Sequence, residues 1–391
     1  MVEWKKLGEV MKIVRGASPR PITNYITSDS DGINWIKIGD VEPGAKYITQ
    51  CNEKVTKEGA KKSRYLHSGD FILSNSMSFG RPYILKIDGC IHDGWIAMSE
   101  FEEHLSSGYL YEILNSNGVQ RYWRMKANNG GAMTNLNSDI VKDTIIPIPS
   151  LEEQTRIVGI LDTFTASIDN LKEQIAQRRK QYEYYRDQLL DFEGKEGVEM
   201  KKVDDICEVK GRIGFRGYTR EDQVEKENGA LVLTATNISN QRIDYSNNTY
   251  ITWEKYYESP EIMVTNGDIL VCQRGSIGKI AIVDNLIEKA TINPQLLLLK
   301  NIKIDNRYLT YYFLSCFFQS KLSQIIGYGT IQMISQKDFK NLTIPVPCLQ
   351  EQRRIVTILD TFESSIQNLE AQLSQREKQY EYYRNKLLTF E

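Results

Sequence analysis

Residues 349–391 repeat, without a gap, a stretch that closes the first half of the chain, and this duplication limits the available folds more than any other feature. The earlier copy, LEEQTRIVGILDTFTASIDNLKEQIAQRRKQYEYYRDQLLDFE (151–193), matches the later one, LQEQRRIVTILDTFESSIQNLEAQLSQREKQYEYYRNKLLTFE, at roughly two-thirds of positions. Elsewhere the halves agree in frame and differ in residues: GDFILSNSMSFGRPYILKIDG (69–89) lies over GDILVCQRGSIGKIAIVDNLI (267–287). Two domains of one architecture are expected, at 1–150 and 201–348, each followed by a near-constant segment, 151–193 and 349–391. A linker over 194–200, containing GKEG, separates the halves.

The near-constant segments are predicted to be long helices. Pro147 and Pro149 exclude a helix before Ser150, and Ser150 with Glu153 has capping-box spacing; Cys348 and Glu351 form a weaker cap in the second copy. Apolar or aromatic residues recur at alternating steps of four and three: Ile157, Leu161, Phe164, Ile168, Leu171, Ile175, Tyr182, Tyr185 and Leu189, with Arg178 at the remaining step. The second copy repeats the seam at Ile355, Leu359, Phe362, Ile366, Leu369, Leu373, Tyr380, Tyr383 and Leu387, with Arg376. Such a heptad pattern predicts a coiled coil, and a 40-residue helix spans about 60 Å. Helix 1 delivers the chain to the second domain and helix 2 returns, so the pairing is expected to be antiparallel. The fold class is α+β: two mixed α/β domains separated by two long helices, with a pseudo-two-fold internal repeat.

Within the domains, β-rich runs at 34–41, 70–76, 82–87, 230–238, 268–273 and 279–284 are punctuated by Gly, Asn and Asp, predicting a curved sheet with hairpins. Helical patterns at 107–126 and 306–325 predict one helix packed on each sheet.

Composition excludes several classes. The chain is 41% hydrophobic with net charge −2, ordinary for a globular protein and without the overall basic excess of many nucleic-acid binders. Any affinity for DNA must therefore come from local charge. No signal-peptide core or run of about 18 apolar residues is present, which predicts a cytoplasmic protein with no membrane association. The six cysteines form no CxxC pair, so neither a disulfide framework nor a zinc site is expected.

Enzyme signals fail on spacing. GSIGK (275–279) lacks the gap and the Ser or Thr of a phosphate-wrapping loop, and NPQ (293–295) lacks the second Pro and the aromatic of an adenine-methyltransferase motif. No catalytic residues, metal or cofactor are expected in this chain. Basic and amide residues do gather near predicted turns: Arg15, Arg20, Asn75 and Arg81 in the first domain, and Lys210, Arg212, Arg216, Arg220, Gln273, Arg274 and Lys279 in the second. Arg suits guanine edges and phosphates, and Asn and Gln suit adenine edges.

The halves IPIPSLEEQTRIV (146–158) and IPVPCLQEQRRIV (344–356), each following a variable domain, resemble the specificity (S) subunits of type I restriction-modification systems across essentially the whole chain. GDILVCQRGSIGK and GTIQMISQKDFKNLTIPVP (329–347) are also typical of that family, and SMSFGR and GGAMTNLNSD in the first half depart from them. The resemblance implies two target recognition domains, each reading one half of an interrupted asymmetric site in double-stranded DNA. It further implies two methylation subunits that modify adenine N6 and restriction subunits that use ATP, with none of those activities here. Tyr184 and Tyr382, in the YEYYR repeats, fall off the seam and are candidates for docking a methylation subunit. Two other readings compete. The recognition part of a fused restriction-methyltransferase needs a missing N-terminal domain, against which Met1 and the complete double repeat argue; a purely structural scaffold leaves the divergence of the two domains unexplained.

Overall fold

Both near-constant segments form unbroken helices, Leu151–Leu190 and Leu349–Leu388, in a computed structural model that describes residues 2–42, 44–75, 79–127, 135–212, 217–326 and 332–390. Ser150 caps the first, its Oγ accepting the Glu153 N–H at 3.3 Å. The Glu153 carboxylate is taken by a two-pronged contact from Arg156 at 2.6 and 2.7 Å, and Glu351 is held likewise by Arg354 at 2.7 Å.

The chain divides into two compact units, 1–172 with 371–391, and 173–370, so each unit contains half of each long helix. In the first, Phe164 stacks on Tyr383 with centroids 5.2 Å apart and Lys172 lies 4.0 Å from Glu377. In the second, Arg179 pairs with Glu370 at 2.6 Å and Tyr185 stacks on Phe362 at 5.4 Å. Within each unit, moving forward along one helix means moving backward along the other, so the pairing is antiparallel as expected. The two stacked pairs are one pair with the copies exchanged, as the repeat requires.

Seam residues Ile157, Leu161, Ile168, Ile175, Tyr182, Ile355 and Leu359 are buried. At the helix ends Leu190 and Leu388, one place beyond the seam, are buried while Leu189 and Leu387 are half-buried. There the helices leave their mutual contact and enter domain cores, and each domain's own packing decides which face turns inward.

The first unit carries two five-stranded sheets where one curved sheet was predicted. One runs Lys12–Arg15, Trp95–Ser99, Phe71–Ser74, Pro82–Leu85, Tyr47–Ile48; the other centres on Ile33–Ile36, flanked by Glu53–Val55 and, in parallel, Gly89–Ile91. The central strand Phe71–Ser74 is buried on both faces. Phe71 and Leu73 join a core with the helices, whereas Ile72 joins one shared with the second sheet. The second unit repeats this: Ile269 and Val271 face the helices, Leu270 and Cys272 the other sheet. Two covered faces need two partner layers, and the near-continuous apolar runs in these strands record that demand.

Each predicted single helix is two. Ser107–Leu114 gives way to Asn117–Ala127, and Asn306–Leu314 to Cys316–Gln324. The break falls at Ser116 and Ser315, whose hydroxyls accept the N–H groups of Val119 and Phe318, each at 3.4 Å. Serine there caps a new helix instead of continuing the old one.

Candidate nucleic-acid interface

In both units a loop joins the buried central strand to its hairpin partner, Phe71–Ser74 to Pro82–Leu85 and Ile269–Cys272 to Ile280–Ile282. The loop closes on a glycine in the left-handed region, Gly80 (φ +68°) or Gly278 (φ +86°), and a Cβ there would meet Trp123 or Gln319 at 3.0 or 2.7 Å. A glutamine of the second short helix pins the same turn. Gln120 Nε2 donates to Gly80 O at 2.9 Å and Gln319 Nε2 to Gly278 O at 3.2 Å.

Three of the four first-domain candidates converge on Asp93. Arg15 Nε and Asn75 Nδ2 both donate to its carbonyl at 3.2 Å, and Arg20 Nη2 lies 3.3 Å from its carboxylate. Burial raises the Asp93 carboxyl, but the Ser18 hydroxyl, His92 and Arg20 outweigh it and hold the group below its usual range. Arg15 and Arg20 remain exposed; Asn75 is buried, its amide spent inside the fold. Arg81, exposed at the loop's end, stands apart from this cluster.

In the second domain Gln273, the equivalent of Asn75, is also buried and donates to Pro294 O and Leu296 O at 3.0 and 3.4 Å. Arg212 is buried over the Tyr218 ring, with Nε donating to Ile292 O at 3.2 Å, and burial pushes its pKa down. Lys210 pairs with Glu208 at 2.9 Å, and Lys279 Nζ donates to Ile238 O at 3.4 Å. Arg220 and Arg274 are exposed. Arg216, the first half of SMSFGR, the start of GGAMTNLNSD and most of GTIQM lie outside the described residues.

The structure thus gathers Arg15, Arg20 and Asn75 at Asp93, leaves Lys210 within the strand Glu208–Gly211, and separates exposed cations from buried braces. Residues that tie each domain to its helix were not singled out from sequence. Gln154 and Gln352 are buried: Ser106 N–H donates to Gln154 Oε1 at 2.8 Å and Asp305 N–H to Gln352 Oε1 at 2.9 Å. Tyr109 and Tyr308 hydroxyls reach Pro147 O and Pro345 O, each at 2.9 Å. Both glutamines belong to the LEEQ and LQEQ repeats, and a polar residue kept identical through duplication was the available signal.

The model of the type I restriction modification DNA specificity domain matches this sequence twice, over residues 1–178 and 195–377. The chain belongs to this family. A type I restriction enzyme specificity subunit of Haemophilus influenzae is 28% identical over 100% of this chain and 96% of its own length. The EcoR124I/EcoR124II specificity subunit of Escherichia coli is 33% identical over 63% of each. A solved chain from a study of complex assembly and conformational transition in a type I R-M system has the same fold, with TM-score 0.67 and 18% identity over 99% of this chain and 97% of that one. The S subunit from M. genitalium superposes with TM-score 0.51 and 14% identity over 100% and 97%. Membership of the type I specificity family makes the chain a DNA-recognition subunit of a non-catalytic kind. Among the described residues no helix is long and apolar enough to cross a membrane, and no cluster of His, Cys, Asp or Glu is arranged to hold a metal.

Proposed function

We propose that each domain of this specificity subunit reads one half of an interrupted, asymmetric DNA site, and that the paired helices set the number of base pairs between the halves. The observation that carries this reading is one frame presenting two surfaces. The Gly80 and Gly278 turns are built and pinned alike, yet Arg81 is replaced by Lys279 and Asn75 by Gln273. Buried Asn75 and Gln273 brace the starts of these loops and buried Arg212 holds the strand Ala290–Ile292, while exposed Arg15, Arg20, Arg81, Arg220 and Arg274 meet phosphates or base edges. The partners are two methylation subunits, which modify adenine N6, and restriction subunits. With net charge −2, the chain alone holds DNA weakly until its partners complete a basic surface.

Co-expression with the methylation subunit in a methylation-free host, followed by single-molecule mapping of N6-methyladenine, tests this. One interrupted motif is expected, with halves that change independently when residues 1–150 or 201–348 are exchanged. No motif from a soluble, cofactor-bound complex would reject recognition in favour of a scaffold.

A further inference from the structure

Because the halves share a frame, a difference between equivalent positions isolates what one half has and the other lacks. One such difference surrounds Arg384, near the end of the second long helix and inside the first unit. Its equivalent in the second unit, Arg186, is buried and donates Nε–H to Asp187 at 2.9 Å. Asp187 Oδ1 also accepts the Cys316 N–H at 3.2 Å. Where Asp187 would stand, the first unit has Asn385. Its Oδ1 still accepts the equivalent N–H, from Asn117 at 3.1 Å, but the charge is gone, and Arg384 Nε is buried without a hydrogen bond. The Arg384 guanidinium rests over the Tyr380 ring, 5.2 Å from its centroid, as that of Arg186 does over Tyr182 at 5.7 Å.

Arg384 lines a cleft of about 570 Å³ together with Arg81, Arg124, Asn117 and a single carboxylate, Glu381. These cations come from three elements: the loop after the central strand, the second short helix and the second long helix. In the second unit the places of Arg81 and Arg124 hold Lys279, which turns to Ile238 O at 3.4 Å, and Ser323. Together with the Arg186–Asp187 pair, that leaves the equivalent face without the three guanidiniums.

We propose that the cleft in the first domain is a phosphate site that takes a backbone phosphodiester of the bound DNA, and that the equivalent face of the second domain is not built for one. Guanidinium forks match phosphate oxygens two at a time, and three forks against the lining carboxylate of Glu381 and the buried Glu112, whose carboxyl also feels Arg384, leave a net positive cleft. Arg81 makes the cleft continuous with the Gly80 loop, the surface assigned above to DNA; the inference rests on that reading. Phosphate here positions the duplex and carries no sequence information.

The test uses the complex with methylation subunits on DNA carrying the methylated motif, comparing the slope of log K against log salt. Arg124 is exposed, so Arg124→Gln leaves the core intact; Arg121→Gln, exposed on the same helix and outside the cleft, is the control. The expected result is a slope reduced by about 0.9 in Arg124→Gln, one phosphate contact, with the motif and the Arg121→Gln slope unchanged. An unchanged slope in Arg124→Gln, or equal losses in both variants, overturns the proposal. A wild-type complex that methylates no motif overturns the recognition reading instead. Inorganic phosphate is titrated against the DNA-free complex at constant ionic strength. A rise in Tm that Arg124→Gln abolishes, beside an unaltered DNA slope, makes this a free-anion site and overturns the DNA assignment. Failure of Arg124→Gln to assemble with methylation subunits does the same in favour of a protein contact.

Discussion

Phe164 lies against Tyr383 with ring centroids 5.2 Å apart and planes inclined by 27°, and the Arg376 guanidinium sits 5.7 Å from the Phe164 ring. The stack joins the beginning of one helix copy to the end of the other within the first unit. A double-mutant cycle with Phe164→Leu and Tyr383→Leu is expected to give a coupling of about 1 kcal/mol, read from urea unfolding. Strict additivity would mean that the rings merely share space.

Gln154 has two donors and an acceptor committed: Ser106 N–H into its Oε1 at 2.8 Å, and Nε2 to His104 O and Pro149 O at 2.8 and 3.1 Å. Gln154→Leu leaves buried backbone groups without partners, at a cost of about 1–3 kcal/mol. Thermal unfolding checks this, and an unchanged Tm counts against the contact as the join between domain and helix.

Glu112 is 3% exposed. Burial lifts its carboxyl above the usual range, with Asp162 adding to the rise; the Tyr380 hydroxyl at 2.7 Å, Arg384 and Lys46 offset only part. A folded-state pKa above the unfolded one gives stability that is complete below the unfolded value and lost as pH rises through the folded value. Glu112→Gln keeps an acceptor for Tyr380 and removes the charge. Its Tm is expected to exceed that of the wild type at neutral pH, the gap closing towards about pH 4. A gap equally wide at both ends of that range contradicts the titration.

One heptad inserted near Ile168, matched by a heptad opposite it on the second helix, keeps the seam in phase. The expected outcome is a changed gap between unchanged half-sites, seen by methylation mapping. A constant gap sinks the idea that the helices measure it.

Tyr184 and Tyr382 are 63% and 60% exposed, each edge-on to the next tyrosine of its repeat. Changing both to Glu is expected to abolish co-purification with the methylation subunit. Retained complex formation removes these rings from the interface.

The frame was legible in the sequence because duplication and heptad spacing leave marks at every turn of a helix. Ile157, Leu161 and Ile355 could be assigned to a buried stripe from periodicity alone. The site was less legible. Asn75, Gln273 and Arg212 look like base-reading residues by type, yet burial commits their donors to carbonyls, and only the fold reveals which loop passes close enough to accept them. Asp93 carried no signal, since the pattern around it shows nothing of the three side chains that meet there. Ser116 and Ser315 did carry one, but serine within an apolar helical run reads equally as a surface position until its hydroxyl is seen to cap a new helix.

Leu388 completes the core that Leu7, Phe71 and Ile157 begin, and Leu190 completes the one that Val203, Ile269 and Ile355 begin. A chain cut between the copies would therefore own a domain and its outgoing helix but not the incoming helix end that seals the core. Because the two helix ends are nearly the same sequence, a second molecule of the same fragment carries the missing piece. Two half-length polypeptides exchanging their helix tails rebuild both cores, and such a homodimer presents one recognition surface twice. Its DNA target would be a palindrome, from which joining two diverged copies in one gene escapes.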